Sequence, residues 1–210
     1  MVYPIGKIFR HIFTFPVKEI KGLDNLPKDS AFVVASNHHS FIDPLILASI
    51  LTKPLKAKKI YFISAMLLFF DVLTNFIFSE FGGSIRLKKS IHGGFLKSAM
   101  KRLRKGNIVC IFPEGVPNKR SSIRKGKTGV ARLVLKSRVP VVPIGIKGTL
   151  KVWSRLKWFP RPGKKVIITI GKPIYFKEYY PQDENYHILK KVTKAIMKEI
   201  ASLIGQKYRF

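Results

Sequence analysis

The sequence predicts a single α/β domain, a mixed and mostly parallel sheet flanked by helices. Three observations carry that expectation. Strand-like and helix-like segments alternate along the chain, the pattern of strands joined by helical crossovers. Its 210 residues suit one domain with a real core. The polar motifs follow short apolar runs, and α/β sheets gather functional groups at the carboxyl ends of their strands.

The elements follow in order. Within residues 1–20, Ile5, Ile8, Phe9, Ile12 and Phe13 fall at helical spacing, with Lys7 and Arg10 off the stripe. This predicts a short amphipathic segment that lies at a membrane interface or docks on the domain. Lys7, Arg10 and His11 break any signal-peptide core. The domain itself is assigned to residues 21–210. Phe32–Ser36 reads as a buried strand and Pro44–Leu51 as a helix. Lys59–Ile63 is a strand, followed by a helix over Ala65–Phe78 that is apolar nearly all round. The run Ile60–Phe78 approaches the ~20 residues of a membrane span, but Asp71 and Asn75 sit inside it, so a buried or lipid-touching helix is the preferred reading. Ser84–Leu87 is a strand. Gly94–Arg104 is a helix with Phe95, Leu96, Ala99, Met100 and Leu103 on one stripe and Gly106 as its stop. Strand Asn107–Phe112, helix Gly129–Lys136 and strands Val139–Ile144 and Val166–Ile170 follow. The last helix, Asp183–Leu203, carries Ile188, Val192, Ile196, Ile200 and Leu203 on one face.

Charge narrows the partners. Forty Lys and Arg face eleven Asp and Glu, a net charge of +29. Such a balance points to a polyanion, either nucleic acid or an anionic membrane surface. From Arg86 to Lys177 there are 25 basic residues and a single acid, Glu114. The one cysteine, Cys110, lies in the apolar run 108–112, which excludes an intrachain disulfide and fits a reducing compartment. No zinc spacing of Cys and His exists, and no metal or cofactor is expected.

Three motifs carry chemistry. The first is Asn37-His38-His39-Ser40-Phe41-Ile42-Asp43-Pro44. Asp43-Pro44 reads as a helix start, with the acid at the cap and proline in the first turn. Asp43 can reach back to an imidazole, hold one nitrogen protonated and leave the other to accept a proton from a hydroxyl. Spacing alone does not choose between His38 and His39. The second is Phe112-Pro113-Glu114-Gly115. A glutamate at a strand end, between proline and glycine, can accept hydrogen bonds from substrate hydroxyls or from backbone amides in a turn. The third runs from Gly82 and Gly83 through Arg86 to Lys88 and Lys89. Its glycines permit close approach of a ligand and its cations can hold a phosphate.

On these residues the chain resembles the glycerolipid acyltransferases that include the 1-acyl-sn-glycerol-3-phosphate (lysophosphatidate) acyltransferases. Four ordered blocks carry the resemblance: 37–44, Gly83-Ser84-Ile85, 112–115, and Val139-Pro140-Val141-Val142-Pro143-Ile144, with Lys127-Thr128-Gly129 between the last two. It spans roughly Lys21 to Ile174. The resemblance implies that His38 is the catalytic histidine and Asp43 its partner. It implies that Gly83, Arg86, Lys89, Glu114 and Gly115 bind the glycerol phosphate, and that the Val139–Ile144 block is structural or lines the acyl path. Two positions depart from the family. Lys89 stands where an arginine is usual, keeping the charge without the bidentate fork. Val116-Pro117-Asn118 stands where Thr-Arg-Ser is usual, so the arginine of that block is absent.

The expected activity is transfer of a fatty acyl group from acyl-CoA or acyl carrier protein to lysophosphatidate, giving phosphatidate. Alternative acceptors are glycerol 3-phosphate, a lysophospholipid or an amino-lipid. The expected setting is the cytoplasmic face of a membrane with an anionic surface, and no nucleic-acid partner. A non-catalytic basic protein that binds membranes or nucleic acid would explain the charge, but it leaves His38, Asp43 and Glu114 without a role.

Overall fold

The computed structural model describes residues 14–52, 54–55, 59–64, 82–86, 94–118, 120, 122–152, 165–182 and 185–210. The segment 1–13, the expected helix 65–78 and Lys89 lie outside these residues.

Seven strands form one sheet. They are β1 (Val17–Lys21), β2 (Val33–Ser36), β3 (Ile60–Ser64), β4 (Gly82–Arg86), β5 (Ile108–Ile111), β6 (Val141–Lys147) and β7 (Val166–Ile170). Their order is β1-β7-β6-β2-β5-β3-β4. Every adjacent pair is parallel except β6 with β7. The helices are α1 (Asp43–Thr52), α2 (Gly94–Arg104), α3 (Gly129–Ser137), α4 (Thr149–Val152) and α5 (Tyr186–Leu203). The fold is the mixed, mostly parallel α/β domain that the alternation of segments predicts.

The central strands are apolar on both faces because both faces are covered. Val34, Phe62, Cys110, Val142, Ile144 and Ile146 pack with Ile46, Leu47 and Leu51 of α1 on one side. Val33, Ala35, Val109 and Ile111 pack with α2, α3 and α5 on the other. Helix α1 is apolar nearly all round, and seven of its ten residues are buried. Helices α2, α3 and α5 are amphipathic and carry their lysines and arginines outward. Burial in this core pushes the Cys110 thiol pKa well up, so the group stays a neutral, buried thiol.

Three features escape the sequence pattern. Strand β1 reads VKEIK, with Val17 and Ile20 half-buried and the charged residues exposed. As an edge strand it buries too little to show an apolar run, yet it pairs in parallel with β7. The sheet therefore begins at Val17. Strand β6 runs on to Lys147, past the expected end at Ile144. At Gly145 a Cβ would come within 2.7 Å of the Leu203 Cβ, so the glycine lets the end of α5 close down on the strand. Helix α5 starts at Tyr186 because Asn185 caps it, accepting from the amides of His187 and Ile188.

Candidate active site

Strands β2 and β5 are parallel neighbours, with Ala35 opposite Ile111. The loops that follow them, 37–43 and 112–118, therefore leave the same edge of the sheet side by side. Together they hold His38.

The first loop folds back on one carboxylate. Asp43 is fully buried. Its Oδ2 accepts from His38 Nδ1 at 2.9 Å and from the backbone amides of His39 and Ser40, each at 2.7 Å. The side chain thus turns away from the helix it begins, and the expected capping role is not what the geometry shows. Pro44 still suits the first turn, where an N–H has no partner. Bonding to a carboxylate keeps the proton on Nδ1 and leaves Nε2 as the ring nitrogen with a lone pair. The His38 side chain retains 12% of its exposure.

His39 has a different place. It is buried, and its Nδ1 lies 3.1 Å from Asn37 Nδ2. Burial lowers its pKa despite the nearby Asp43 charge, so the ring stays neutral. Asp43 touches its main chain and not its ring. Asn37, also buried, bonds both peptide groups of Ile146, accepting from N–H at 2.7 Å and donating to C=O at 2.8 Å. It fastens the loop to β6.

The second loop closes around His38 from outside. The Phe112 ring stacks on the imidazole, with centroids 4.1 Å apart and planes 20° from parallel. Glu114 is buried. Its Oε1 accepts from the His38 amide at 2.9 Å and its Oε2 from the Arg124 amide at 3.0 Å. The Asn118 amide donates to the His38 carbonyl at 2.7 Å, and the Asn118 side chain binds the Ser122 carbonyl. Gly115 has φ +82°, a left-handed conformation that suits glycine. A Cβ there would meet Lys127 Nζ at 2.8 Å, so the glycine also leaves room for the lysine. The Lys127 amide is fixed to the Pro113 carbonyl at 2.8 Å.

A sequence model of the family described as Acyltransferase matches residues 18–147. The chain belongs to the acyltransferase family. It is 33% identical over 176 residues to the chloroplastic 1-acyl-sn-glycerol-3-phosphate acyltransferase LPAT1 of Arabidopsis thaliana, a match covering 81% of this chain and 48% of that protein. It is 29% identical over 217 residues to a probable 1-acyl-sn-glycerol-3-phosphate acyltransferase of Mycoplasma pneumoniae, covering 98% of this chain and 77% of that one. The chain thus spans about half the length of the chloroplastic relatives it matches. The crystal structure of the 1-acyl-sn-glycerophosphate acyltransferase PlsC from Thermotoga maritima shares the fold, with a TM-score of 0.69 at 23% identity over 98% of this chain and 81% of that one.

Within this acyltransferase fold the expected site residues fall into two groups. His38, Asp43, Glu114 and Gly115 come together at the carboxyl ends of β2 and β5. Gly83 and Arg86 lie on β4, opposite Tyr61 and Ser64 of β3. Strand β3 separates β4 from β5, which puts β4 about 10 Å from β5 across the sheet. Arg86 ends β4 at the same carboxyl edge as the His38 loop, while Gly83 sits nearer the strand's start. Phe112 and Asn118, which contact His38, and Lys127, which lies beside Gly115, had no role in the site from the sequence alone. Lys127 had a signal, the Lys-Thr-Gly step; Asn118 had none. Among the described residues no cluster of His, Cys, Asp or Glu could hold a metal ion. Among them, too, no helix is long and apolar enough to cross a membrane.

Proposed function

We propose that this chain transfers a fatty acyl group from an acyl thioester, acyl-CoA or acyl carrier protein, to the free hydroxyl of lysophosphatidate. The observation that carries the reading is the 2.9 Å bond from His38 Nδ1 to the buried Asp43 carboxylate. It makes Nε2 a general base with a fixed tautomer.

The proposed reaction uses that geometry. Nε2 takes the proton of the acceptor hydroxyl as its oxygen attacks the thioester carbonyl carbon. The tetrahedral intermediate collapses, the C–S bond breaks, and the imidazolium returns its proton to the leaving thiolate. Asp43 stabilises the imidazolium between the two transfers. A histidine base works only when neutral, so the rate falls on acidification.

The acceptor's phosphate needs cations. Lys127, lying along Gly115, and Arg86, at the end of β4, are the proposed contacts, with Lys89 beyond β4 a third. Phe41 and Val116, one on each loop, are exposed apolar side chains about half open to solvent. They form an apolar rim for the acyl chains. With the strongly basic composition they favour work at an anionic membrane surface on the cytoplasmic side, reached peripherally or monotopically.

The test is a panel. Purified protein in vesicles is given each donor with lysophosphatidate, glycerol 3-phosphate and a lysophospholipid. Phosphatidate formed fastest from lysophosphatidate supports the reading. A faster rate on another acceptor replaces the substrate and keeps the chemistry. No acyl transfer from either donor, with tight salt-sensitive binding to duplex nucleic acid, would overturn it.

A further inference from the structure

We propose that Glu114 is a positioning residue for His38, fixing the main chain of the base rather than gripping the acceptor. The inference rests on the reading of His38 as the base. It departs from the glycerol-phosphate role that the family resemblance implies for this glutamate.

Both oxygens of the carboxylate are engaged by peptide groups. One accepts from His38, 76 residues away in sequence, and the other from Arg124, ten residues away. The residue is only 2% exposed. A side chain that gripped a glycerol hydroxyl or a phosphate would present an oxygen to the open side of the loop. A carboxylate would also repel a phosphate. What this carboxylate does is join the His38 loop to the segment at Arg124, beside the Asn118 bridge from the His38 carbonyl to the Ser122 carbonyl.

The result is a base held on every side. Glu114 takes the amide of His38 and Asn118 donates to its carbonyl, so both peptide groups flanking its Cα are anchored. Phe112 stacks on the ring plane, and Asp43 fixes its rotation through Nδ1. Base catalysis depends on such placement, because a shift of about 1 Å can cost on the order of 100-fold in rate. The residue type follows from the donors. Two N–H groups converge on one side chain, and only an acceptor-only group of this size satisfies both. A glutamine in its place satisfies one and turns an NH2 toward the other. Burial opposes ionisation of Glu114 and raises its pKa, and the two amides pull it back. The bonds to backbone are thus what let a buried carboxylate persist there.

The experiment compares wild type with Glu114→Ala, which removes both acceptors, and has two readouts. The first is amide hydrogen exchange of the whole folded protein, which needs no catalytic activity. Exchange at His38 and Arg124 is expected to accelerate at least about tenfold in the variant, while amides of β5 and β6 keep their protection. Unchanged exchange at His38 overturns the proposal. The second is steady-state acyl transfer to lysophosphatidate and to monoacylglycerol, which lacks the phosphate. The expected result is a kcat lower by roughly 10–100-fold on both acceptors with each KM within about twofold. A loss carried by KM, or confined to the phosphate-bearing acceptor, makes Glu114 a substrate contact and overturns it. If the wild type transfers no acyl group at all, the acyltransferase reading fails, and the exchange readout still decides whether Glu114 holds His38.

Discussion

The loop after β2 and the loop after β5 both surround His38, but they are built on different scales. The first closes on itself: Asp43 meets His38 five residues away and the amides of His39 and Ser40 four and three residues away. The second works at long range: Glu114 and Asn118 bond a residue 76 and 80 positions earlier. On the proposed reading, chemistry sits in the local loop and placement in the distant one. A proton relay needs a base and a carboxylate in direct contact, which a short loop supplies cheaply in chain entropy. Fixing that relay relative to the rest of the site needs groups from elsewhere in the sheet.

That difference in scale also explains what the sequence discloses. A five-residue spacing between an imidazole and an acid is visible in one line of text, and so were the alternating segments that form the sheet. The preference for His38 over His39 came from family resemblance, and in the structure the ring nitrogens separate them. Backbone amides were one of two partners the sequence allowed for Glu114, but that one of them belongs to His38 was not legible, because parallel pairing of β2 with β5 is a tertiary event. Asn118 gave no signal for the same reason. Strand β1 was missed because an edge strand with alternate charged residues buries little. Arg86 was readable as a cation, but not its place at the far side of β3.

Substitutions in the two loops should separate by size and by kinetic signature. The largest effect is expected in the local loop. Asp43→Asn leaves a side chain of the same shape but no charge to hold the tautomer or stabilise the imidazolium. It should lower kcat by about 10²–10⁴-fold with little change in KM. A loss under fivefold would place the proton chemistry outside this pair. A smaller effect is expected at Lys127, which lies beside the distant loop. Lys127→Ala should raise the KM for lysophosphatidate about tenfold and leave that for monoacylglycerol unchanged, since one charge-assisted contact is worth roughly 1.5–3 kcal/mol. Equal changes on both acceptors would remove Lys127 from the phosphate site.

The smallest effect is on stability. Burial raises the Glu114 carboxyl above the usual glutamate range, against the pull of the His38 and Arg124 amides. The folded chain therefore binds that proton more tightly than the unfolded chain does. The associated stability is fully present below the unfolded pKa of about 4.3 and is lost as pH rises through the folded value. Urea midpoints of wild type relative to Glu114→Gln should then decline from acid to neutral pH. A relative midpoint that climbs over that range would contradict the burial of this carboxylate.

The most direct test of the central claim is acyl transfer to lysophosphatidate by wild type and His38→Ala in the same vesicles, with both thioester donors. The account predicts phosphatidate from the wild type, with one donor or both, and a rate at least about 10³-fold lower from the variant. It also predicts that the variant stays folded with stability lower by roughly 1–3 kcal/mol, since the truncation removes the Phe112 stack and one donor to the buried Asp43 carboxylate. A His38→Ala protein that still forms phosphatidate near the wild-type rate would show that the base lies elsewhere.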